Sequence, residues 1–175
     1  MRWNRIATAV AVTVMATACA NQPAPPPEKP VIHMSRVDSF DSVAEMRAAS
    51  TAVVHVTAGS AQPADLHEVS MTVTEVSVDK VVAGTMLNTK LRVTQFGSPE
   101  VSSPDTSKLL VKGHRYLLFV KPYVISGVDT GQFLITGDQG AYELTSGRYE
   151  LTGASGAKIP ATLPVTGFPA GVLAP

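Results

Sequence analysis

A chain of 175 residues, 45% hydrophobic and 6% aromatic, is long enough for one core of ordinary size. Its 14 basic and 14 acidic residues cancel, so it lacks the clustered positive field by which proteins hold nucleic acid, and no nucleic-acid partner is expected. The single cysteine excludes an intramolecular disulfide, so burial must hold the fold together, which a domain above about 100 residues can manage.

Residues 1–18 read as an export signal. Met1-Arg2-Trp3-Asn4-Arg5 is a short cationic start, and Ile6 to Ala18 (IATAVAVTVMATA) carries no charge. That run is shorter than the roughly 20 apolar residues a membrane-spanning helix needs and suits the apolar centre of a signal peptide. Arg2 and Arg5 are not adjacent, which argues against the twin-arginine route.

Ala16-Thr17-Ala18-Cys19 resembles a lipobox. Small residues at Thr17 and Ala18 suit a peptidase that needs slim side chains beside the cut, and the Cys19 thiol is the nucleophile that takes a diacylglyceryl group. Ala16 departs from the pattern, which usually has Leu or another large aliphatic there. The alternative is an ordinary secretory signal cut near Ala18, with Cys19 an idle thiol. Against it stand the place of the sole cysteine, at the signal's end, and the proline-rich segment that follows at once. Two acyl chains hold a protein to a bilayer stably where one holds it marginally. The expected partner is therefore membrane lipid through Cys19, and the expected location the extracytoplasmic face of the cell membrane. Without residues 1–18, fourteen acids face twelve bases, so no polybasic patch supplies membrane attachment.

Residues 19–38 form the lipidated start and a tether. Ala20 to Met34 (ANQPAPPPEKPVIHM) has five prolines, which favour an extended spacer of roughly 45 Å at ~3.1 Å per residue. A domain is expected over 39–152. It opens with a short helix: Asp41 or Ser42 caps it, Glu45 sits near where a capping box wants an acid, and Phe40, Val43, Met46 and Arg47 follow helical spacing. A break at Ser50-Thr51 makes this helix a lid over one end of a sheet.

Strands follow. Thr51 to Thr57 (TAVVHVT) is bounded by Ala58-Gly59-Ser60. Glu68 to Val82 places apolar residues at Val69, Met71 and Val73 and then at Val76 and Val78, a phase slip that predicts a β-bulge in this strand. Leu91 and Val93 alternate with Lys90 and Arg92 in Thr89 to Phe96. Gly97 to Ser107 is a polar loop. Tyr116 to Val120 is apolar throughout, as in a strand covered on both faces. Gly127 to Gly131 reads as a turn, Gln132 to Thr136 as a strand, and YELTSGRYEL (142–151) as a hairpin. Residues 153–175, rich in Gly, Pro and Ala, are expected to be irregular. The fold class is mainly β, a small closed or partly open antiparallel OB-like barrel with one short N-terminal helix.

Three phrases in this order resemble a group of small actinobacterial surface lipoproteins: Val81-Val82-Ala83-Gly84, Val93-Thr94-Gln95-Phe96-Gly97, and Gly113-His114-Arg115-Tyr116-Leu117-Leu118-Phe119-Val120. The resemblance covers 39 to about 151 and implies a fold and an address, with no activity attached. More distantly, the strand order is similar to the OB-fold barrel of the tissue inhibitors of metalloproteinases. That likeness implies fold only: those inhibitors chelate zinc through a free N-terminal cysteine, whereas Cys19 here is expected to be acylated.

No reactive constellation emerges. His33, His55, His67 and His114 lack metal-motif spacing, and His55 falls out of phase with Val54 and Val56, facing solvent or a partner. Gly153-Ala154-Ser155-Gly156 has the wrong spacing for a serine nucleophile elbow. The acid pairs Asp38/Asp41 and Asp65/Glu68 read as helix-start and loop acids. Gly137-Asp138-Gln139-Gly140 is either a ligand cradle or, more simply, a tight turn. Leu163-Pro164-Val165-Thr166-Gly167 matches the LPxTG sorting pattern, but no apolar span and basic tail follow it, so it reads as coincidence. The sequence thus implies no catalytic residue, metal or cofactor. The leading expectation is a non-enzymatic module that binds an envelope or extracellular protein, with the loop Gly97 to Ser107 and its neighbouring strands as the candidate surface. The alternative is a lipid-tethered carrier of a small apolar ligand inside the barrel.

Overall fold

The computed structural model of the protein describes residues 38–66, 69–101, 107–153, 158–166 and 168. Cys19, with Ala16, Thr17 and Ala18 before it and the tether after it, lies outside these residues, as do His33, His67 and Ser102 to Thr106.

Among the described residues one short helix, α1 (Val43–Ala48), precedes eight strands: β1 (Ala52–Leu66), β2 (Val69–Gly84), β3 (Lys90–Phe96), β4 (Arg115–Ile125), β5 (Val128–Ile135), β6 (Ala141–Thr145), β7 (Arg148–Leu151) and β8 (Thr162–Pro164). The fold is mainly β. Five strands close a ring in the order β1-β2-β3-β5-β4 and back to β1, in which the β3–β5 contact is parallel and the others antiparallel. The sheet continues outward from β4 through β6, β7 and β8.

Alternation in the sequence builds the ring. Ala52, Val54, Val56 and Ala58 of β1 point inward with Val76, Leu91, Val93, Tyr116, Leu118 and Val120, and these pack as one cluster. The opposite side of β4 carries Leu117 and Phe119, which join Val43, Met46, Val53, Tyr142, Tyr149, Ile159 and Leu163 in a second cluster outside the ring. Every residue from Tyr116 to Val120 is therefore buried, as the unbroken apolar run predicts. The helix caps as expected, with Ser42 Oγ accepting from the Glu45 amide and Glu45 Oε2 accepting from the Asp41 amide. It packs through Val43 and Met46 into the second cluster, so it covers an outer face of the sheet rather than its end.

Several local expectations are corrected. The phase slip in β2 is not a bulge at Val73–Val76: Met71 to Thr74 are all buried because both faces of the strand are covered there. The register shifts against β1 fall beside Asp79 and Val82 on β2, and at Gly59-Ser60 on β1. Gly59 thus lies within a strand, where a Cβ would stand 2.8 Å from the Glu75 carbonyl oxygen, and β1 runs on to Leu66. The β4–β5 turn is Ser126-Gly127, with φ of 51° and 81°, so Val128 to Gly131 belongs to a strand. Two successive positive φ values match the right-handed twist of the flanking strands. The tail contributes β8, held because Leu163 fills a place in the second cluster.

Candidate binding face

The expected surface begins where β3 ends. The Gly97 amide donates to the Ser70 carbonyl, and Thr72 Oγ1 donates to the Gly97 carbonyl, so the loop after β3 starts against the far part of the β1–β2 hairpin. Ser98 and Val101 then bridge one another. The outer face of β2 and β3 continues from there. Met71, Val73 and Thr94 are buried on it, with Tyr123 of β4 donating to Met71 Sδ and Thr94 hydrogen-bonded to Gln132 of β5. Beyond this covered part the cross-strand pairs Glu75/Arg92 and Ser77/Lys90 lie exposed. The face is bounded on one side by the β1–β2 hairpin and on the other by the β4–β5 hairpin.

The ring's interior is occupied. Its lower mouth, beside Ala58 and His114, is closed by residues 107–111. Gln95, almost fully buried, donates through Nε2 to the Lys108 carbonyl and the Ser107 hydroxyl and accepts from the Leu110 amide at Oε1. The Tyr116 hydroxyl accepts from the Val111 amide, and burial pushes the Tyr116 pKa above its ordinary value. Leu110, so pinned, packs into the ring cluster. Sequence reasoning named neither Gln95 nor Tyr116 as a positioning residue. The signal was present in the two phrases that contain them, VTQFG and GHRYLLF, since a Gln in phase with Leu91 and Val93, and a Tyr within an unbroken apolar run, need partners for their polar atoms.

No protein-family model, curated protein or solved structure matches this chain.

His55, expected to face solvent or a partner, instead lies beneath two aromatic rings, Tyr149 at 5.2 Å and Phe168 at 6.4 Å between centroids. Its Nε2 is buried without a hydrogen-bond partner among the described residues. Burial lowers its pKa below 6.5, Lys80 and Arg115 add to the shift, and Asp79 opposes it. His114 Nδ1 stands 2.6 Å from Glu143 Oε1 on an exposed edge. Asp38 pairs with Lys121, and Asp41 with Lys158. Asp65 and Glu68 have no described side chains. Among the described residues no three of His, Cys, Asp and Glu gather closely enough to hold a metal ion, and no helix is long and apolar enough to cross a membrane.

Two motifs take structural roles. Residues 136–140 form an excursion between β5 and β6: the Thr136 amide donates to the Phe119 carbonyl, and the Phe119 amide donates to the Gly140 carbonyl. Thr136, Asp138 and Gln139 are buried in it, the Phe40 amide donates to Gln139 Oε1, and Ser50 Oγ meets Thr136 Oγ1. It is a packed polar loop rather than a tight turn. In the LPVTG match, Leu163 is buried and Thr162 to Pro164 is paired with β7.

Proposed function

We propose that this protein is a lipoprotein anchored through Cys19 to the extracytoplasmic face of the cell membrane, presenting an OB-like barrel as a non-catalytic binding module for an envelope or extracellular protein. The ring order β1-β2-β3-β5-β4, with β3 and β5 parallel, supports the OB-like reading. In such barrels the outer face of strands 2 and 3, flanked by the 1–2 and 4–5 connections, is a common binding surface. Here that face begins at the covered Met71 and Val73 and ends in the exposed pairs Glu75/Arg92 and Ser77/Lys90.

One observation carries the choice of a module over a carrier of apolar ligand. The ring is packed with Val, Leu, Ile and Tyr side chains and plugged below by Leu110, whereas a ligand cavity needs roughly 300 Å³. The paired β8 strand likewise argues against reading LPVTG as a sorting signal, since an enzyme that takes an extended peptide would first have to strip Leu163 from its cluster.

The anchor is tested by metabolic labelling with a fatty-acid probe. Wild type is expected to carry the label in the membrane fraction and Cys19→Ala to lose it. Label in both variants, or in neither, overturns the anchored reading. Crosslinking at the cell surface, followed by mass spectrometry of wild type and of Arg92→Glu, tests the partner. A protein captured by the first and lost from the second supports the β2–β3 face, and equal capture by both overturns that placement.

A further inference from the structure

Four large hydrophobic side chains are exposed among the described residues: Leu87, Val111, Val124 and Val128. Their distribution is uneven. Ala52 of β1 pairs with Gly84 of β2 on one side and Val120 of β4 on the other. Beyond these partners β2 runs out into the connection holding Leu87, and β4 runs out into the hairpin holding Val124 and Val128. Both therefore leave the same, upper end of the ring, from strands about 10 Å apart across β1. Val111 belongs to the opposite end, where the His114 amide donates to its carbonyl and the Gly113 amide to that of Ala58.

The upper end is also where the chain arrives. Asp38, the first described residue, is ion-paired to Lys121 at the base of the β4–β5 hairpin, and its carbonyl oxygen lies 3.1 Å from where a Gly137 Cβ would stand. No charged residue occurs from Pro122 to Val128, or from Val81 to Thr89; Lys121, paired with Asp38, stands before the first stretch, and Asp129, in register with Val124, follows it. Uncharged apolar tips with a tyrosine, Tyr123, at the base of one of them suit the boundary between acyl chains and headgroups.

We infer that the upper end of the ring, through Leu87, Val124 and Val128, rests on the lipid surface to which the chain is tethered. The inference depends on the anchored reading above. A tether raises the local concentration of lipid around the whole domain; the chain enters the domain at the upper end, beside Asp38 and Lys121, and the apolar tips stand at that same end. Contact through the tips leaves the lower mouth, with Val111 and the start of the loop after β3, turned away from the membrane.

The mature chain from Cys19 onward contains no tryptophan, because Trp3 lies in the signal, so a single introduced indole reports its own surroundings. The full mature lipoprotein, extracted with its acylated cysteine, is reconstituted on vesicles of phosphatidylglycerol and phosphatidylcholine with brominated acyl chains. Three variants are compared: Val128→Trp, Leu87→Trp and Val111→Trp. All three positions are exposed, so each variant is expected to fold. Flotation with the vesicles reads the anchor, and quenching reads the contact. The expected result is flotation of all three, with a roughly twofold loss of emission at positions 128 and 87, as for side chains about 5–10 Å into the boundary region, and none at 111. Flotation without quenching overturns the lipid contact, retains the anchor, and leaves the upper end to a protein partner. Equal quenching at all three positions also overturns the oriented contact. Protein that stays in the aqueous phase without quenching overturns the anchor and the contact that depends on it.

Discussion

The two apolar clusters of this protein share a wall and are built differently. The ring interior is aliphatic apart from Tyr116, drawn from alternate residues of strands that neighbour one another around the ring, among them Val54, Val56, Val76, Leu91, Val93 and Leu118. The outer cluster is aromatic and composite: Tyr142, Tyr149 and Phe119 of the sheet meet α1, the segment around Ile159, and Leu163 of β8. One is a periodic solution to burying a strand face. The other is assembled from segments with little periodicity of their own, held by contacts such as the Tyr142 hydroxyl donating to the Pro160 carbonyl. A periodic core stands on many equivalent residues, whereas a composite one stands on whichever side chain joins its parts.

That contrast is sharpened most by paired truncations. Leu118→Ala, at the centre of the ring, is expected to cost about 3 kcal/mol and to lower the denaturation midpoint of the whole domain. Leu163→Ala is expected instead to free β8 locally, so that hydrogen exchange speeds up in β7 and β8 while β1 to β5 stay protected. Uniform loss of protection in the second variant would break the distinction between the two clusters. Next in size is Gln95→Ala, which leaves the Leu110 amide and the Lys108 carbonyl without their partner and is expected to cost about 2 kcal/mol. An unchanged midpoint on urea denaturation would show that residues 107–111 do not close the ring.

The smallest expected effect is electrostatic and belongs to the outer region. His55 has its pKa lowered in the folded state by burial, so the unfolded chain binds the proton more readily. Stability from this group is present above pH 6.5 and falls away as the pH drops below it. His55→Gln is expected to flatten that part of the stability profile. A wild-type and a variant profile of the same slope between about pH 5 and 7 would remove His55 from the account.

How far the fold was legible follows the same division. The alternation of Val54 with His55 and of Leu91 with Arg92 announced the ring strands, and the unbroken run Tyr116 to Val120 announced the strand with both faces covered. The helix cap was readable because Ser42 and Glu45 act within one turn. Legibility failed where burial depends on a distant segment. The pattern at Met71 and Val73 reads as one side of a bulge because nothing local says that this face of β2 is covered, with Tyr123 reaching Met71 Sδ from β4. The β4–β5 turn was displaced to Gly127 to Gly131 because Ser126 is a weaker signal for positive φ than Asn or Asp. Leu163 stood in a Gly- and Pro-rich tail, and only its pairing with Tyr149 makes it part of a strand. Of the candidate face, the loop after β3 was readable from its polarity. The role of Gln95 was not, because a buried amide is identified by the partners it finds.

β4 has a consequence for how the chain comes to its native state. Leu118 and Val120 belong to one cluster, Leu117 and Phe119 to the other, and Phe119 also closes the base of the excursion at 136–140 through its own amide and carbonyl. Neither cluster can be completed before this strand is in position, and once it is, both gain a wall at the same moment. Assembly of the two clusters is therefore coupled through a single segment in the second half of the sequence, and a chain cut short before Arg115 lacks the shared wall of both.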